Sequence, residues 1–423
     1  MPTQVTNRAD RIIARCREIA SFTEVPGETT RTFLSPPMHE VHALLRRWME
    51  AAGMTVRIDA IGNLRGLYPG LTPNASRLLV ASHLDTVPNA GAFDGILGVI
   101  LGIAVIEELC GQHLPFAIEV IGFSEEEGVR FNKPFLGSLA LIGKLDAETL
   151  ALTDSDGTSF TQAIRNFGLN PDELSSTVIT NNAFAYLEFH IEQGPVLESE
   201  SFPLGVVDTI VGQTRLQLIF KGQSNHAGTT PMHLRYDALA AAAEWIVATE
   251  TYATNQDNLV ATVGKINAVP GAINIIPGEI TASLDLRHHN DDVRRAAVAS
   301  VLDSATTIAS KRGVKVSSKI LSQQAAVPMN PHLTHLLQAA TGRAGFPSPT
   351  MTSGAGHDAM IIAPHIPSTM LFLRTPGGLS HHPNETVLPQ DVEAALATAM
   401  EFLTLLRDAP TLHNRSTLKD AHA

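Results

Sequence analysis

Cysteine is almost missing from this chain. Cys16 and Cys110 are the only two, far apart and in unlike surroundings, which excludes a disulfide framework and a thiolate zinc cluster. A basic excess is missing too. Thirty Lys and Arg stand against 42 Asp and Glu, a net charge of −12. Phosphate backbones need a cationic face, so nucleic acid is excluded as the main partner. The same balance offers an anionic substrate no general attraction, and any carboxylate must be recognised locally. No apolar run is long enough to span a membrane. Positions 1–20 carry Arg8, Arg11, Arg15 and Arg17 among small apolar residues, without the unbroken apolar core of a signal peptide. Asp10 and Glu18 count against a transit peptide, while Ile12, Ile13, Cys16 and Ile19 are spaced as one face of a helix. These absences together point to a cytoplasmic chain.

What is present is ordinary globular material, 44% hydrophobic and 17% charged over 423 residues. That length exceeds one hydrophobic core, so two domains are expected. Val41–Ala52 has helical spacing and stops at Gly53. Arg77–Ala81, Phe116–Phe123 and Ala183–Phe189 are strand-length apolar runs, with a buried helix over Gly98–Cys110 between the first two. This alternation predicts an α/β sheet covered by helices on both faces. From about Gly212 the pattern changes. Strands are expected at Thr214–Lys221, Leu259–Ile266, Glu279–Arg287 and Val314–Leu321, with helices at Asp237–Glu250 and Asp292–Ser310, the latter capped near Asp291 or Asp292. That β-α-β-β-α-β order is a split-βαβ sandwich. The first pattern resumes after Pro328, through Ser368–Arg374 and Asp391–Leu406. The expected fold is therefore an α/β domain over 1–211 and 328–423, interrupted by an inserted α+β domain over 212–327.

Ligand sites in such sheets lie beyond the carboxyl ends of the strands. Arg77–Ala81 runs into Ser82-His83-Leu84-Asp85 and on to Asp94. Phe116–Phe123 runs into Glu125-Glu126-Glu127, Ala183–Phe189 into His190-Ile191-Glu192-Gln193, and Ser368–Arg374 into Ser380-His381-His382. A lone histidine at a strand end is more often a hydrogen-bonded surface residue than a ligand, and an acidic triplet is usually a solvated loop. Four such ends on one sheet edge change that weighting. Imidazoles and carboxylates together suit zinc, manganese or cobalt, and a nearby cation would keep three adjacent glutamates ionised. Asp85, two residues from His83, is placed to accept the imidazole's second N–H. Elsewhere, His226 sits in a glycine-flanked loop, Arg287 could simply pair with Asp285 or Asp291, and SGAGHD could be only a turn. Phe131 and Phe135 read as core.

The segments HLDTVPNAGAFDG, EEEGVRF, HIEQGPVLE, HAGTTP, NIIPG with LDLRH, SGAGHDA and GGLSHHPNE resemble the dinuclear-metal amidohydrolases of the M20 peptidase family. The likeness is to the branch holding allantoate amidohydrolases, N-carbamoyl-L-amino-acid hydrolases and fungal-type β-ureidopropionases, and runs from about Ile12 to Leu406. It implies two divalent ions per subunit, zinc or manganese, with cobalt or nickel as alternatives. His83, Asp94 and His190 would hold one ion and Glu127 and His381 the other, with Asp94 bridging and His382 adjacent to the expected ligand. Glu126 would be the general base, aided by Asp85, and His226 the group that stabilises the transition state. Asn274 and Arg287 would bind a substrate carboxylate, with Gln193 and the Gly356 backbone lining the pocket. The inserted domain would act as a lid and form a homodimer.

The resemblance also implies the chemistry. A small ureido acid would be cleaved at a C–N bond, with allantoate giving ureidoglycine, ammonia and carbon dioxide as the leading reaction. N-carbamoyl-L-amino-acid or β-ureidopropionate hydrolysis is the alternative. A peptidase is less favoured, because His190 stands where peptidase relatives more often have an acidic ligand. A non-catalytic binding protein on the same fold is the remote alternative, opposed by the retained Glu126.

Overall fold

Strand propensity and burial divide the chain into two sheets. In chain order the strands are β1 (Thr55–Ile58), β2 (Leu64–Tyr68), β3 (Arg77–His83), β4 (Ala117–Phe123), β5 (Ala183–Ile191), β6 (Leu204–Ile210), β7 (Gly212–Lys221), β8 (Val260–Thr262), β9 (Ile266–Val269), β10 (Glu279–His288), β11 (Lys315–Gln324), β12 (Val327–Pro328), β13 (Thr350–Ser353) and β14 (Ser368–Leu373). The computed structural model describes residues 8–180 and 182–413. Within it Thr209–Val327 forms one compact unit and the rest of the described chain another. The chain is mixed α/β, as expected.

The larger unit is built on a sheet of order β1-β2-β4-β3-β5-β14-β6-β12, with β13 beside β6. At its centre β4, β3, β5 and β14 are successive parallel neighbours. Parallel strands covered on both faces should be apolar throughout, and β4, β5 and β14 are buried at every position. The covering helix after β3, Ile96–Glu108, is apolar all round and buried from Ile96 to Ile106, the pattern of a fully enclosed helix. A Cβ at its Gly98 would stand 2.3 Å from the Phe189 carbonyl oxygen, so glycine sets how closely helix and sheet approach. The N-terminal helix Arg8–Ala20 buries Ala9, Ile12, Ile13, Cys16 and Ile19, the face its spacing predicts. The strand β6, antiparallel to β14, was not among the sequence expectations.

The smaller unit is an antiparallel sheet of order β11-β7-β10-β8, with β9 also on β10. Two helices, Ala238–Thr254 and Asp291–Lys311, supply the other half of its core. Trp245 is fully buried there and donates Nε1–H to the Val301 carbonyl at 3.1 Å. The strand expected over Leu259–Ile266 is instead two short strands. Between them the Lys265 N–H leaves the backbone ladder for the Ser283 hydroxyl at 3.0 Å, which interrupts the pairing. The second helix is capped by Asn290, whose side chain accepts from the N–H groups of Asp292 and Val293, rather than by Asp291 or Asp292. Among the described residues no helix is long and apolar enough to cross a membrane.

Candidate functional site

Because β4, β3, β5 and β14 run parallel, their carboxyl ends share one edge. His83 is the last residue of β3, and Glu126 and Glu127 follow β4. His190 is the penultimate residue of β5, and His381 lies beyond β14. Asp94 arrives on the loop that enters the helix Ile96–Glu108. The next residue, Gly95, has φ +69°, and a Cβ there would fall 2.5 Å from the His83 ring. Only glycine lets this loop press against the imidazole.

Asp94 is the hub. Its Oδ1 lies 3.2 Å from His190 Nε2 and 3.5 Å from His83 Nε2, and its Oδ2 3.4 Å from His381 Nε2. Glu127 Oε1 is 3.5 Å from the same His381 nitrogen. Two sets able to hold a metal ion therefore share one carboxylate: His83, Asp94 and His190, and Asp94, Glu127 and His381. A third set joins His83, Glu126 and Glu127. All of these are buried except His381, whose side chain is 49% exposed, and Glu127 at the margin.

The donor chemistry fits a cation. His83 Nδ1 lies 3.0 Å from the Asp85 carbonyl oxygen and His190 Nδ1 2.9 Å from that of Ile191. Carbonyls only accept, so each Nδ1 carries its hydrogen and each neutral ring presents a lone pair at Nε2. The two Nε2 atoms are 3.4 Å apart and face Asp94 Oδ1, a buried oxygen that receives no hydrogen bond. Three acceptors converge with no hydrogen between them unless a positive charge is added. The local electrostatics make the same demand. Burial depresses the His83 ring, but Asp85 and Asp94 outweigh it and hold its proton affinity well above the ordinary value. Burial raises Asp94, yet the imidazoles of His190, His381 and His83 hold it well below the usual carboxylate range.

The acidic triplet divides its work. Burial, and then the charge of Glu127, push Glu126 well above the usual carboxylate range; burial and Asp94 push Glu127 up to about 7. Glu125 turns inward, accepting from the Gly128 N–H, and belongs to none of the three sets. Asp85 does more than expected. Its carbonyl at 3.0 Å and its Oδ1 at 3.4 Å both face His83 Nδ1, and its carboxylate also accepts the N–H groups of Glu126 at 2.9 Å and Glu127 at 3.1 Å. Those two buried donors need an acceptor, and so Asp85 fixes the backbone of the triplet. His382 is exposed, with Nδ1 accepting from the Asn384 N–H at 3.1 Å, and His381 is the one drawn into the cluster.

A family profile settles the lineage, for residues 79–405 match the description Peptidase family M20/M25/M40. The chain belongs to this family. Its M20 sequence is 38% identical to allantoate deiminase 1 of Glycine max, over 93% of this chain and 89% of that one. It is 37% identical to the N-carbamoyl-L-amino acid amidohydrolase of Geobacillus stearothermophilus, over 91% and 95%. In three dimensions it is similar to an amidase of the hydantoinase/carbamoylase family from Burkholderia multivorans. The TM-score is 0.88 at 31% identity, covering 94% of this chain and 97% of that one.

The remaining M20 candidates are placed less uniformly. Gln193 donates Nε2–H to Asp94 Oδ2 and to Ser380 Oγ, both at 3.0 Å, so it touches the shared carboxylate directly. Gly356 is exposed beside Phe135. In the smaller unit, His226 Nδ1 accepts the N–H groups of Gly228 at 3.0 Å and Thr229 at 3.2 Å. That fixes the neutral tautomer with hydrogen on Nε2, a ready donor. The Ala227 N–H donates to the Asn274 carbonyl at 2.9 Å, which ties the loops of His226 and Asn274 together. Arg287 forks onto Asp285 at 2.8 and 3.0 Å, and Arg215 grips the same carboxylate at 2.9 Å.

Sequence reasoning passed over several groups. Glu385 ends the GGLSHHPNE segment. Its Oε1 accepts the N–H groups of Phe93 and Asp94, both at 3.0 Å, and a Cβ on Gly91 would meet its Cβ at 2.3 Å. Arg31 is buried and donates Nε–H to the Leu84 carbonyl at 2.8 Å, bracing the turn after His83. Glu188 takes the Tyr186 hydroxyl and the Ala359 N–H, each at 2.8 Å. A glutamate inside an apolar strand run was a visible signal, since an unpaired buried carboxylate is costly. His357 packs edge-on to His190, with ring centroids 4.4 Å apart.

Proposed function

We propose that the chain hydrolyses a ureido or carbamoyl C–N bond, with allantoate as the leading substrate, giving ureidoglycine, ammonia and carbon dioxide. The observation that carries this reading is Asp94, with one carboxylate oxygen facing His83 and His190 and the other facing His381. The relatives named above supply the reaction class. N-carbamoyl-L-amino acids are the second reading, favoured by the near-equal match to the Geobacillus enzyme. A pocket that must tell such substrates apart by a few atoms gains only ~1–3 kcal/mol per methylene.

Two divalent ions, zinc or manganese, fit the two sets, held by His83, Asp94 and His190 and by Asp94, Glu127 and His381. Divalent ions bound there would acidify a water and polarise the substrate carbonyl. Glu126 would take a proton from the attacking water and return it to the leaving nitrogen, one carboxylate serving as base and then acid. Its raised proton affinity, from burial and Glu127, suits that double duty. Asp85 holds the Glu126 and Glu127 backbone still, and Gln193 orients Asp94. His226, with Nε2–H outward, donates to the oxyanion as it forms. Arg287, oriented by Asp285, and Asn274 receive the substrate carboxylate.

In this reading 1–211 with 328–423 is the catalytic domain, 212–327 the lid and dimerisation domain, and the protein works as a cytoplasmic homodimer. An exposed free thiol at Cys110 suits a reducing compartment. The deciding assay is ammonia release from allantoate and from a panel of N-carbamoyl-L-amino acids by metal-loaded protein. Turnover of none of them overturns the reading. Assembly is tested by sedimentation and by mixing His226→Ala with Glu126→Gln chains under verified subunit exchange. Recovered activity would mean that His226 acts across the dimer, and activity at the parents' level that it acts within its own chain or not at all.

A further inference from the structure

Away from the metal-ligand edge, the sheet carries a second concentration of charge. Arg57 on β1 is directly opposite Arg65 on β2, and Arg77 begins β3. The three guanidinium groups line a cavity of about 250 Å³ with Glu119, Ser176 and Thr180. Both Glu119 oxygens are taken, Oε1 by Arg65 Nε at 2.7 Å and Oε2 by Arg77 at 3.0 Å. Arg65 is buried, and its NH1 also donates to the Thr177 carbonyl at 2.9 Å. Asp59 stands further off, 3.7 Å from Arg65. Among the described residues the Arg57 side chain has no hydrogen-bond or ion-pair partner. Burial, and then the charge of Arg65, lower its proton affinity.

Three guanidiniums face two carboxylates, Glu119 with both oxygens taken and Asp59 3.7 Å from Arg65, which leaves a net positive charge in a chain whose net charge is −12. Like charges held this close, on strands fixed by their register, are unfavourable without an anion among them. The volume lies below the ~300–1,000 Å³ of pockets for drug-sized ligands, so a large anion is excluded. Arginine forks and hydroxyls are the groups that grip tetrahedral oxyanions. We propose that this cavity is a binding site for a small polyvalent oxyanion of the inorganic phosphate type, with Arg57 closing on it from the rim.

The site is separate from the metal-ligand edge. Arg77 and His83 are the two ends of β3, six residues apart, or roughly 20 Å at ~3.3 Å per residue.

Titration calorimetry of the full-length, metal-loaded protein with inorganic phosphate, against chloride at matched ionic strength, tests the proposal. Phosphate also binds divalent ions, so the location is read from variants. The Arg57 side chain is only partly covered and lies outside the hydrophobic core, so Arg57→Gln leaves the core intact. The expected result is saturable binding to the wild type, weakened about tenfold or more in Arg57→Gln, largely restored in Arg57→Lys, and retained in Asp94→Ala. Wild-type affinity in Arg57→Gln, loss confined to Asp94→Ala, or no saturable binding beyond chloride each overturns it.

Discussion

The two units treat their candidate residues in opposite ways. In the larger unit each metal-ligand candidate other than His381 is buried or nearly so, and neighbours fix it. Carbonyls orient His83 and His190, Asp85 holds the backbone of Glu126 and Glu127, and Gln193 and Glu385 hold Asp94. In the smaller unit His226 and Asn274 are exposed and loop-borne, and only Arg287 rises from a strand, steered by Asp285. A cluster of buried charges must be over-determined, because an unpaired one costs several kcal/mol. A group that meets a substrate from solvent carries no such cost and can tolerate motion. In the larger unit the candidate geometry is therefore fixed, while His226 and Asn274 of the smaller unit stand in solvent.

That contrast can be broken most severely at Asp94. Asp94→Ala should strip metal at both sets and take activity to background, as measured by elemental analysis beside ammonia release. Loss of one ion per chain would make Asp94 a terminal ligand and not a shared one. Glu126→Gln comes next: metal content should stay near normal while kcat falls roughly a thousandfold, the upper part of the general-base range. Near-normal turnover would remove Glu126 from the chemistry. Removing an outer support should cost less. Glu385→Ala frees the Phe93 and Asp94 N–H groups and should weaken metal affinity about 10- to 100-fold, with Glu385→Gln milder because it keeps one acceptor. Equal affinities in all three proteins would show that the Asp94 loop needs no tether.

On the exposed side, Arg287→Lys retains charge and loses the fork, so kcat/KM should fall about tenfold for the carboxylate substrate. A carboxylate-free amide should be nearly indifferent to the change. Parallel losses on both would assign Arg287 to folding through Asp285. The smallest effect sharpens the contrast within the larger unit itself. His42 is buried with neither ring nitrogen bonded, and burial lowers its pKa from 6.5 to about 3. Its folded value is depressed, so the unfolded chain takes the proton first as pH falls. The titration of His42 contributes nothing well above pH 6.5 and destabilises progressively below it, by about 2 kcal/mol near pH 5. The stability difference between His42→Leu and the wild type should be constant in denaturant titrations at alkaline pH and move in favour of the variant on acidification. An unchanged gap across that range would mean the ring finds a partner.

Much of the fold was legible because it rests on periodicity. The runs at Arg77, Phe116, Ala183 and Ser368 became the central parallel strands, and their polar sequels share one edge because parallel strands leave no other arrangement. What escaped was set by contacts between distant segments. Nothing local marks β6 as a partner of β14, or shows that Ser283 breaks the strand after Leu259. Asp85 was expected to serve His83 through its carboxylate, but two backbone N–H groups of a loop some 40 residues on have the stronger claim. Glu385 stood in a segment already singled out, yet its role depends on the loop of Gly91 lying against it.

The parallel pairing of β5 with β14 has a consequence in time. The two strands are adjacent in the sheet but separated in sequence by the whole of Thr209–Val327. Non-local pairing of this kind carries a loop-closure cost and is expected to follow the local elements. His381 comes from beyond β14, so the shared-carboxylate cluster cannot assemble before this pairing does. Ions held there would stabilise only the finished chain and leave the rate-limiting ensemble untouched. They should lengthen the lifetime of the native protein many-fold while leaving its rate of refolding nearly constant, so that the metal acts as a latch on a door already shut.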